Sequence, residues 1–435
     1  MKKNIILIFS DQQRGDTIGL NGCPVDLTPN IDNLGKEGIN FKYSFTNQPV
    51  CGPARSILFT GRYATEVGVW KNGLGIKSDE ITIAKILKEN GYKTGYIGKW
   101  HIYKHEKKRV VGPVPYEYRG GFDYWKAANV LEHTSHPYEG VIYDEENKEV
   151  KFKDIYRVDF LTDLAIEFIK NTSRPFFLTL SYLEPHQQND WNRMVAPAGY
   201  REKYKNPYVP EDLKLFPGDW FEQLPDYYGA IKRIDECVGR IVEILKKSGI
   251  YENTVIIFTS DHGCHFRTRN GEYKRSCHES SIRIPLIIGG AVEKKKTVEN
   301  MAQLIDIPKT ILEIGNVDIP ENFRGKSLFK IAEGKEQHEE IFIQISESMV
   351  ARAIRTERWK YCVLAPDKIG TYDSFSTKYH EYQLYDLYSD PYELVNLAGR
   401  REYKEISQNL REKLKKKIKE IECIDVEIEE AKFYP

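Results

Sequence analysis

Hydrophobic positions follow two alternating patterns along the first three quarters of the chain. Short apolar runs predict buried strands, at residues 5–9, 94–97, 176–182, 254–259 and 285–288. Stretches with apolar residues at helical spacing predict helices, at residues 83–88, 159–170 and 227–247. Strands that are apolar on both faces and alternate with helices are typical of a parallel sheet. We therefore predict an α/β fold with a large, mostly parallel sheet sandwiched by helices.

The pattern changes after about residue 335. Short runs there predict antiparallel strands, at residues 340–345, 350–354, 359–364 and 383–386. A final helix carries its apolar residues on one face, namely Ile406, Leu410, Leu414, Ile418 and Ile421. We predict an α/β domain of residues 1–335 and a smaller C-terminal α+β subdomain of residues 336–435, which holds an antiparallel sheet and the terminal helix.

Composition narrows the class of protein. At 435 residues the chain is long for one compact domain, and 40% hydrophobic with 29% charged residues excludes a disordered chain. Lys plus Arg and Asp plus Glu both number 64, so the formal net charge is zero. Because a chain without a basic field has no general attraction for a phosphate backbone, we predict no nucleic-acid partner. A local anion site remains compatible with this balance.

Cysteines and the N-terminus bear on the cellular compartment. The seven cysteines are an odd number and form no C-x-x-C pair, which argues against a disulfide framework. The apolar run at residues 5–9 is too short for a signal-peptide core, and no stretch approaches the ~20 apolar residues of a membrane span. We predict a cytoplasmic protein without a membrane partner, although a leader removed beforehand would leave the same pattern.

Polar, ionisable residues follow four of the predicted strands. These strand ends read Asp11-Gln12, Gly98-Lys99-Trp100-His101, Glu184-Pro185-His186 and Asp261-His262-Gly263. In an open α/β sheet, ligands bind beyond the carboxyl ends of the strands, so we expect these residues to meet at one edge. The alternative is a set of unrelated turns and helix caps, which would explain one such end better than four.

One segment carries a specific signature. It reads Cys51-Gly52-Pro53-Ala54-Arg55 and continues to Thr60-Gly61-Arg62, which is C-x-P-x-R followed by T-G-R. With this segment and the strand ends in order, the chain resembles the type I (formylglycine-dependent, Cys-type) sulfatase family of the alkaline phosphatase superfamily. Further matches are Lys274, Glu279, Arg283, Pro285, Arg355-Thr356-Glu357-Arg358-Trp359-Lys360-Tyr361 and Leu384-Tyr385-Asp386-Leu387. The resemblance covers nearly the whole chain and implies an alkaline phosphatase-like fold.

The resemblance implies that a formylglycine-generating enzyme converts Cys51 to formylglycine. A hydrated aldehyde has two hydroxyls on one carbon. One attacks sulfur, and the other, once deprotonated, re-forms the carbonyl and expels sulfate. Arg55, one helical turn later, would hold the hydrate and offset its charge. The alternative for Cys51 is an unmodified buried thiol.

The resemblance also implies a divalent metal held by Asp11, Gln12, Asp261, His262 and the modified Cys51. Calcium is the metal that the family pattern favours. Many family members carry Asp in place of Gln12 and Asn in place of His262, so this chain departs from the pattern at both positions. Because a lost charge and an added nitrogen ligand soften the site, manganese is the alternative. A hydrogen-bonded turn histidine is the alternative for His262.

Four further residues would supply protons and positive charge by the same resemblance. Lys99 and Lys274 would bind sulfate oxygens. His186 would protonate the departing oxygen as an acid, and His101 would act as the base for sulfate release. A lone lysine is otherwise most often a solvated surface charge.

Two features stand apart from the signature. The pairs Cys264-His265 and Cys277-His278 could suggest zinc, but their spacing matches no standard zinc site. His133 and His136 lie in a polar loop after residues 121–125, and together with Trp125 they are candidates for a carbohydrate subsite, with an ordered surface loop as the alternative.

The sequence therefore predicts a hydrolase of sulfate monoesters, with a sulfated carbohydrate as its substrate. A phosphonate monoester or phosphodiester hydrolase of the same superfamily is the alternative, since members of that branch also pair formylglycine with an Asp-Gln and an Asp-His metal set. A non-catalytic glycan-binding relative is a third interpretation. The retained nucleophile and ligands argue against it.

Overall fold

The computed structural model describes residues 2–104, 111–173 and 175–432. Its strands are β1 (Asn4–Asp11), β2 (Ile39–Phe41), β3 (Ser44–Phe45), β4 (Lys93–Lys99), β5 (Tyr124–Ala128), β6 (Ser135–His136), β7 (Glu139–Tyr143), β8 (Glu149–Lys153), β9 (Phe176–Pro185), β10 (Thr254–Ser260), β11 (Arg283–Ile284), β12 (Leu286–Gly290), β13 (Lys296–Val298), β14 (Ala302–Gln303), β15 (Glu340–Ile345), β16 (Ala351–Thr356), β17 (Trp359–Leu364), β18 (Lys378–Asp386) and β19 (Glu427–Glu429).

Its α-helices are α1 (Pro29–Lys36), α2 (Cys51–Thr60), α3 (Ala64–Val67), α4 (Ile83–Glu89), α5 (Leu131–Thr134), α6 (Arg157–Asn171), α7 (Tyr200–Lys203), α8 (Glu211–Lys214), α9 (Trp220–Lys247), α10 (Glu279–Ile282), α11 (Asp306–Gly315), α12 (Leu328–Ala332) and α13 (Lys404–Glu422). Each strand and helix predicted from the apolar pattern is present, with shifted ends.

The large sheet has the strand order β13-β2-β12-β10-β1-β9-β4-β5-β7-β6, with β8 paired to β7. Its central strands, from β10 to β5, are parallel. Toward the edges, β12 runs antiparallel to β10 and β7 antiparallel to β5. At the far edge, β13 again pairs parallel to β2. The prediction of a large sheet with a parallel centre is therefore confirmed, and the strands toward its edges are mixed in direction.

Both faces of this sheet are buried, as the continuous apolar runs predict. Alternate residues of a strand point to opposite faces. In β1, Ile5, Leu7 and Phe9 join one core cluster with residues of α2, α4 and α11. Ile6 and Ile8 join a second cluster with residues of α1, α6 and α9. The helices therefore cover both faces of the sheet. The polar residues that follow its strands lie at the ends of those strands.

A second sheet follows near the C-terminus, in the order β15-β16-β17-β18-β19. Strands β15 to β18 pair antiparallel, as predicted, and β19 pairs parallel to β18. Helix α13 buries the predicted apolar face against this sheet through Leu410, Leu414, Ile418 and Ile421. Each such side chain contributes about 1.5–3 kcal/mol when fully buried. The same cluster includes Ile57 of α2, so the two parts share a core. The domain boundary near residue 335 stays a prediction.

The helices and the cysteines bear on the predicted cellular compartment. Within the described ranges, every helix is too short or too polar to cross a lipid bilayer. The seven cysteines are free thiols. The cytoplasmic location stays a prediction.

Candidate active site

Strand register explains why the polar strand ends meet. Strands β1 and β10 pair in register up to Ser10 and Ser260, so Asp11 and Asp261 lie side by side just beyond that pair. On the other side, β9 accompanies β1 as far as Pro185, and His186 follows directly. Lys99 ends β4, the next strand along. The four strand ends therefore lie next to one another at one edge, as expected for a ligand site.

Cys51 is the first residue of α2 and is almost fully buried. Together with the residues that contact it, it forms the floor of the site at this edge of the sheet. Its Sγ lies 2.9 Å from Nζ of Lys274, 3.2 Å from Nε2 of His262 and 3.4 Å from Oδ1 of Asp11. Burial opposes ionisation, but the charges of Lys274 and Lys99 outweigh it and hold the pKa of the Cys51 thiol well below its usual range. The surroundings thus stabilise negative charge at this position.

A group of potential metal ligands surrounds Cys51. One ligand atom each of Asp11, Cys51, Asp261 and His262 lies within 4.8 Å of the others. Oδ2 of Asp261 and Oε1 of Gln12 are buried and have no hydrogen-bond partner among the described residues. Burial and then the negative charge of Asp11 raise the pKa of Asp261, because the two carboxylates are crowded together. A divalent cation would coordinate both oxygens and offset this repulsion, so the donor set fits one.

The tautomer of His262 also fits a metal ligand. Its Nδ1 lies 2.9 Å from the carbonyl oxygen of Gly263. Since a carbonyl can only accept, Nδ1 carries the hydrogen and donates it. The lone pair is then on Nε2, which faces Cys51 and lies 3.6 Å from Oδ1 of both Asp11 and Asp261. Metal-ligating histidines are commonly oriented by such a hydrogen bond from the other ring nitrogen.

Two site residues, Gln12 and His101, have left-handed backbone conformations, with φ of 74° and 63°. Residues other than glycine seldom adopt this region, and it persists where surrounding contacts hold it. The backbone N–H of Gln12 donates to Oδ1 of Asp261, and its carbonyl accepts from the hydroxyl of Tyr227. These bonds turn the chain sharply after Asp11, so that consecutive residues serve the same site.

Arg55 is wholly buried one turn after Cys51, but its contacts differ from the expectation. Its guanidinium donates to Oδ2 of Asp11, the carbonyl of Lys99 and the hydroxyl of Ser181. Nε lies 3.3 Å from Oδ2 of Asp261. None of its hydrogen bonds within the described part of the chain reaches Sγ of Cys51. Arg55 therefore compensates and orients the two carboxylates in this structure.

Lys99 is held by two carboxylates, one of which the sequence reasoning missed. Its ammonium lies 2.8 Å from Oδ2 of Asp11 and 2.9 Å from Oε1 of Glu132. Although burial alone would raise the pKa of Glu132, the charge of Lys99 lowers it to about 2. Glu132 follows β5, the fifth parallel strand. Lys126 interrupts the apolar run of residues 124–128, so the sequence does not mark this strand as it marks the other four.

A cavity of about 460 Å³ opens above this floor. Cys51 and Lys274 line its base, and His101 and His186 line it together with His133. Nδ1 of His186 lies 2.6 Å from the carbonyl oxygen of Gln187, so that nitrogen donates and Nε2 is left for the cavity. The structure therefore places two ring systems capable of proton transfer beside the candidate nucleophile.

The expectation that Trp125 contributes to a carbohydrate subsite is wrong. Trp125 lies in strand β5, and its side chain is fully buried. Its ring stacks on Tyr96 and packs edge-on against Trp100. A sugar cannot reach a ring enclosed in the core, so Trp125 serves packing.

His136 lies outside the catalytic cavity. It lines a neighbouring cavity of about 850 Å³, which shares His133 with the first. Its ring stacks on Trp191 at 4.6 Å, and Nε2 lies 2.8 Å from Oδ2 of Asp190. Of the three predicted carbohydrate contacts, His133 is therefore at the catalytic cavity and His136 is farther out.

The two Cys-His pairs do not assemble a metal site within the described residues. Nε2 of His265 lies 2.9 Å from the carbonyl oxygen of Lys274, so this histidine positions the lysine segment. His278 contacts the hydroxyls of Ser276 and Tyr385 instead. Each histidine has a structural partner of its own, and zinc is not needed to explain them.

Comparison with known proteins finds relatives along the whole chain. The model of the sulfatase family matches residues 3–317, and a model of the C-terminal region of N-sulphoglucosamine sulphohydrolase matches residues 271–420. An ulvan-active sulfatase of Formosa agariphila is 31% identical, over 97% of this chain and 82% of the relative. An N-acetylglucosamine-6-O-sulfatase of Bacteroides thetaiotaomicron is 25% identical, over 94% of this chain and 86% of the relative.

Solved structures share the fold. The crystal structure of yidJ from Bacteroides fragilis has a TM-score of 0.83 and 27% identity, covering 97% of this chain and 96% of its own. A phosphonate monoester hydrolase of Agrobacterium radiobacter has a TM-score of 0.69 and 24% identity, covering 95% of both chains. The second similarity concerns the fold alone. The predicted fold, with its smaller C-terminal part, is confirmed.

Proposed function

The chain belongs to the sulfatase family and is a sulfuric ester hydrolase, and we propose that it removes sulfate from a sulfated carbohydrate at Cys51. The observation that carries this proposal is the floor of the cavity. There, Sγ of Cys51 contacts Nζ of Lys274 and Nε2 of His262 beside two buried carboxylates. Positively charged groups that are in place before the substrate binds stabilise both the anionic nucleophile and the anionic ester.

Cys51 would act after conversion to formylglycine, which requires a formylglycine-generating enzyme as a partner. The hydrated aldehyde would supply one hydroxyl as the nucleophile and a second to release the sulfate. Two features of Cys51 support this role: its place at the first turn of α2 and its position in the lining of the cavity.

Asp11, Gln12, Asp261 and His262 would hold a divalent cation together with the modified Cys51. When bound, such an ion lowers the pKa of a coordinated hydroxyl and polarises a sulfate oxygen. Calcium is the first candidate and manganese the second. The neutral amide of Gln12 and the nitrogen of His262 support manganese, whereas the two carboxylates suit either ion.

The remaining residues would handle charge and protons. Lys274 would bind a sulfate oxygen at the cavity base, and Lys99 would use the ammonium hydrogen that Asp11 and Glu132 leave free. His186 would protonate the departing oxygen through Nε2. His101, whose Nδ1 is buried and without a hydrogen-bond partner among the described residues, would take the proton that starts sulfate release.

The carbohydrate part of the proposal has two supports. The cavity of about 460 Å³ and the neighbouring cavity of about 850 Å³ share His133 in their lining, and the first alone has room for more than the ester itself. The two relatives described above are named for ulvan and for N-acetylglucosamine. His133 and His136 are the proposed carbohydrate contacts.

The test is to produce the protein in cells with a formylglycine-generating system and analyse the Cys51 peptide by mass spectrometry. We expect an aldehyde in place of the thiol, and turnover of sulfated saccharides with metal present. Cys51→Ala should keep the fold, by circular dichroism, and lose turnover. An aryl sulfate and a phosphonate monoester serve as comparison substrates.

Three results would contradict parts of this proposal. Full activity with unmodified cysteine would remove Cys51 as the formylglycine nucleophile. Faster hydrolysis of the phosphonate than of every sulfate ester would favour the phosphonate hydrolase alternative. Binding of sulfated saccharides without any turnover by matured, metal-loaded protein would favour a non-catalytic relative.

A further inference from the structure

Gln187 bonds the amide of Gln12, one of the residues in the proposed metal site. Oε1 of Gln187 accepts a hydrogen bond from Nε2 of Gln12 at 2.9 Å. The other end of the same amide, Oε1 of Gln12, is buried and has no hydrogen-bond partner among the described residues. Gln187 lines the same cavity as Cys51 and follows His186 directly. Gln187 therefore engages the nitrogen of the Gln12 amide and leaves its oxygen unbonded.

Gln187 is itself held by its neighbours in the chain. Its Nε2 donates to Oδ1 of Asn189 at 3.3 Å, so its NH2 group is engaged on the side away from Gln12. Its backbone carbonyl accepts a hydrogen bond from Nδ1 of His186 at 2.6 Å. The acceptor for Gln12 is thus attached to the segment that also orients the His186 ring.

We propose that Gln187 is a positioning residue for the metal site, because it accepts the amide hydrogen of Gln12 and so keeps the amide oxygen of Gln12 available to the cation. This inference rests on the proposed function, which includes Gln12 among the metal ligands. It goes beyond that function by giving a role to a residue that the sequence signature does not mark.

The chemistry of an amide explains why such a partner is needed. A primary amide has one acceptor oxygen and one NH2 group, and a cation binds the oxygen alone. Gln12 is fully buried, so an NH2 group without an acceptor there loses the hydrogen bonds that water would give it. An aspartate at this position has no NH2 group and needs no such acceptor. The role of Gln187 is therefore tied to the presence of glutamine at position 12.

The experiment measures metal affinity directly. Matured protein is stripped with a chelator and titrated with manganese chloride, and separately with calcium chloride, by isothermal titration calorimetry. Gln187→Met removes the acceptor at equal side-chain length, and Gln187→Glu keeps an acceptor. Asn189→Asp adds the same negative charge at an exposed position two residues away, and Gln408→Met removes an exposed amide on α13.

We expect Gln187→Met to weaken metal binding by about 10- to 100-fold, the usual cost of removing a partner that orients a metal ligand. Gln187→Glu should bind metal at least as tightly as the wild-type protein. Asn189→Asp measures how much of that affinity is due to charge alone, and Gln408→Met should leave the affinity unchanged. A residue that only fills space would lose its function in both Gln187 variants alike.

Two further measurements separate this role from a general disturbance of the segment. In a Gln12→Asp background, Gln187→Met should have no further effect on metal affinity, because aspartate offers no amide hydrogen. At saturating metal, Gln187→Met should keep the wild-type ratio of turnover between an aryl sulfate and a saccharide sulfate. That ratio reports on His186, whose hydrogen bond to the backbone of Gln187 the variant retains.

Three outcomes would overturn the inference. The first is an unchanged affinity for both metals in Gln187→Met. The second is an equal loss in Gln187→Met and Gln187→Glu, and the third is an equal loss with glutamine and with aspartate at position 12. If the wild-type protein binds neither metal, the proposed ligand set fails and this inference fails with it. If it binds metal but cleaves no sulfate ester, only the proposed activity fails, and the affinities alone decide the role of Gln187.

Discussion

The floor of the catalytic cavity and its outer wall are built in different ways. On the floor, Asp11, Cys51 and His262 are buried and contact one another between adjacent parallel strands. On the outer wall, His136 of β6 stacks on Trp191, which lies in the connection between β9 and α7, and 51% of Trp191 is exposed. Strand register and contacts between buried charged groups position the residues of the floor. The outer wall is positioned by a few contacts that water can replace.

This difference separates chemistry from substrate choice. An electrostatic site works best where its groups are fixed before the substrate arrives and water is excluded. Loops that a rigid scaffold carries are better suited to variation in what is bound. We therefore expect changes on the floor to affect every substrate and changes on the outer wall to affect large substrates only.

The largest expected effect comes from the metal ligands. Asp261→Asn, or treatment with a chelator, should reduce turnover of an aryl sulfate and a saccharide sulfate alike, by several orders of magnitude, because the nucleophile loses the charge that stabilises it. Steady-state kinetics with added calcium or manganese would measure the loss and its recovery. The circular dichroism spectrum should persist without metal, since the sheet core does not depend on the ion. Full activity of metal-free protein would contradict the proposed ligand set.

The two histidines should differ in a way that depends on the leaving group. His186→Ala should lower turnover of a saccharide sulfate by about 10²–10⁴-fold, because a sugar alkoxide leaves poorly without a proton. An aryl sulfate, whose phenolate leaves unaided, should lose much less. His101→Ala should slow both substrates and let the sulfated enzyme accumulate, which intact-mass spectrometry would detect.

The assignment of these two roles can be rejected separately from the sulfatase activity. Equal losses on both substrates for His186→Ala would remove its role as the acid. Failure to trap a sulfated intermediate in His101→Ala would remove its role as the base. Cys51→Ala provides the control that cannot form the intermediate.

The buried support of the floor should make it sensitive to acid. Burial lowers the pKa of His265 from 6.5 to about 4, although the hydrogen bond from Nε2 to the carbonyl oxygen of Lys274 favours the protonated ring. The unfolded chain binds a proton at higher pH than the folded one, so stability is complete above pH 6.5 and declines as the pH falls to about 4. The difference of about 2.5 pKa units corresponds to about 3 kcal/mol of unfolding free energy.

Urea unfolding between pH 7.5 and pH 4 measures this decline. His265→Gln keeps a donor for Lys274 but removes the titrating ring, so the variant should lose stability less steeply over that range. His133→Gln, which replaces an exposed histidine, is the matched control and should follow the wild-type curve. Parallel curves for the wild-type protein and His265→Gln would contradict a neutral, buried His265.

The smallest effect is expected on the outer wall. His136→Ala removes the ring that stacks on Trp191, and it should raise KM for a sulfated oligosaccharide by less than about tenfold while leaving kcat unchanged. An aryl sulfate, too small to reach that wall, should show no change. A loss shared by both substrates would place His136 in the chemistry and remove the distinction between floor and wall.

Trp125 and Glu132 show where prediction from the sequence failed. Both belong to the fifth parallel strand and the turn after it, a segment whose polar surroundings resemble a loop. The sequence suggests Trp125 as part of a carbohydrate subsite, yet neighbouring rings enclose it. Glu132 carried no motif, yet the strand aims it at Lys99. A side chain's surroundings come from distant segments, which a local pattern does not contain.

The sequence by itself determined the family, the sheet-and-helix pattern and the residues beyond four strand ends. It could do so because apolar periodicity and the Cys51–Arg62 signature are properties of consecutive residues. Only the tertiary structure decided which oxygens stay free, which nitrogen of His262 faces Cys51, and that Arg55 bonds the carboxylates. Those features depend on distances between β1, β10 and α2, and strand register and helix packing fix them.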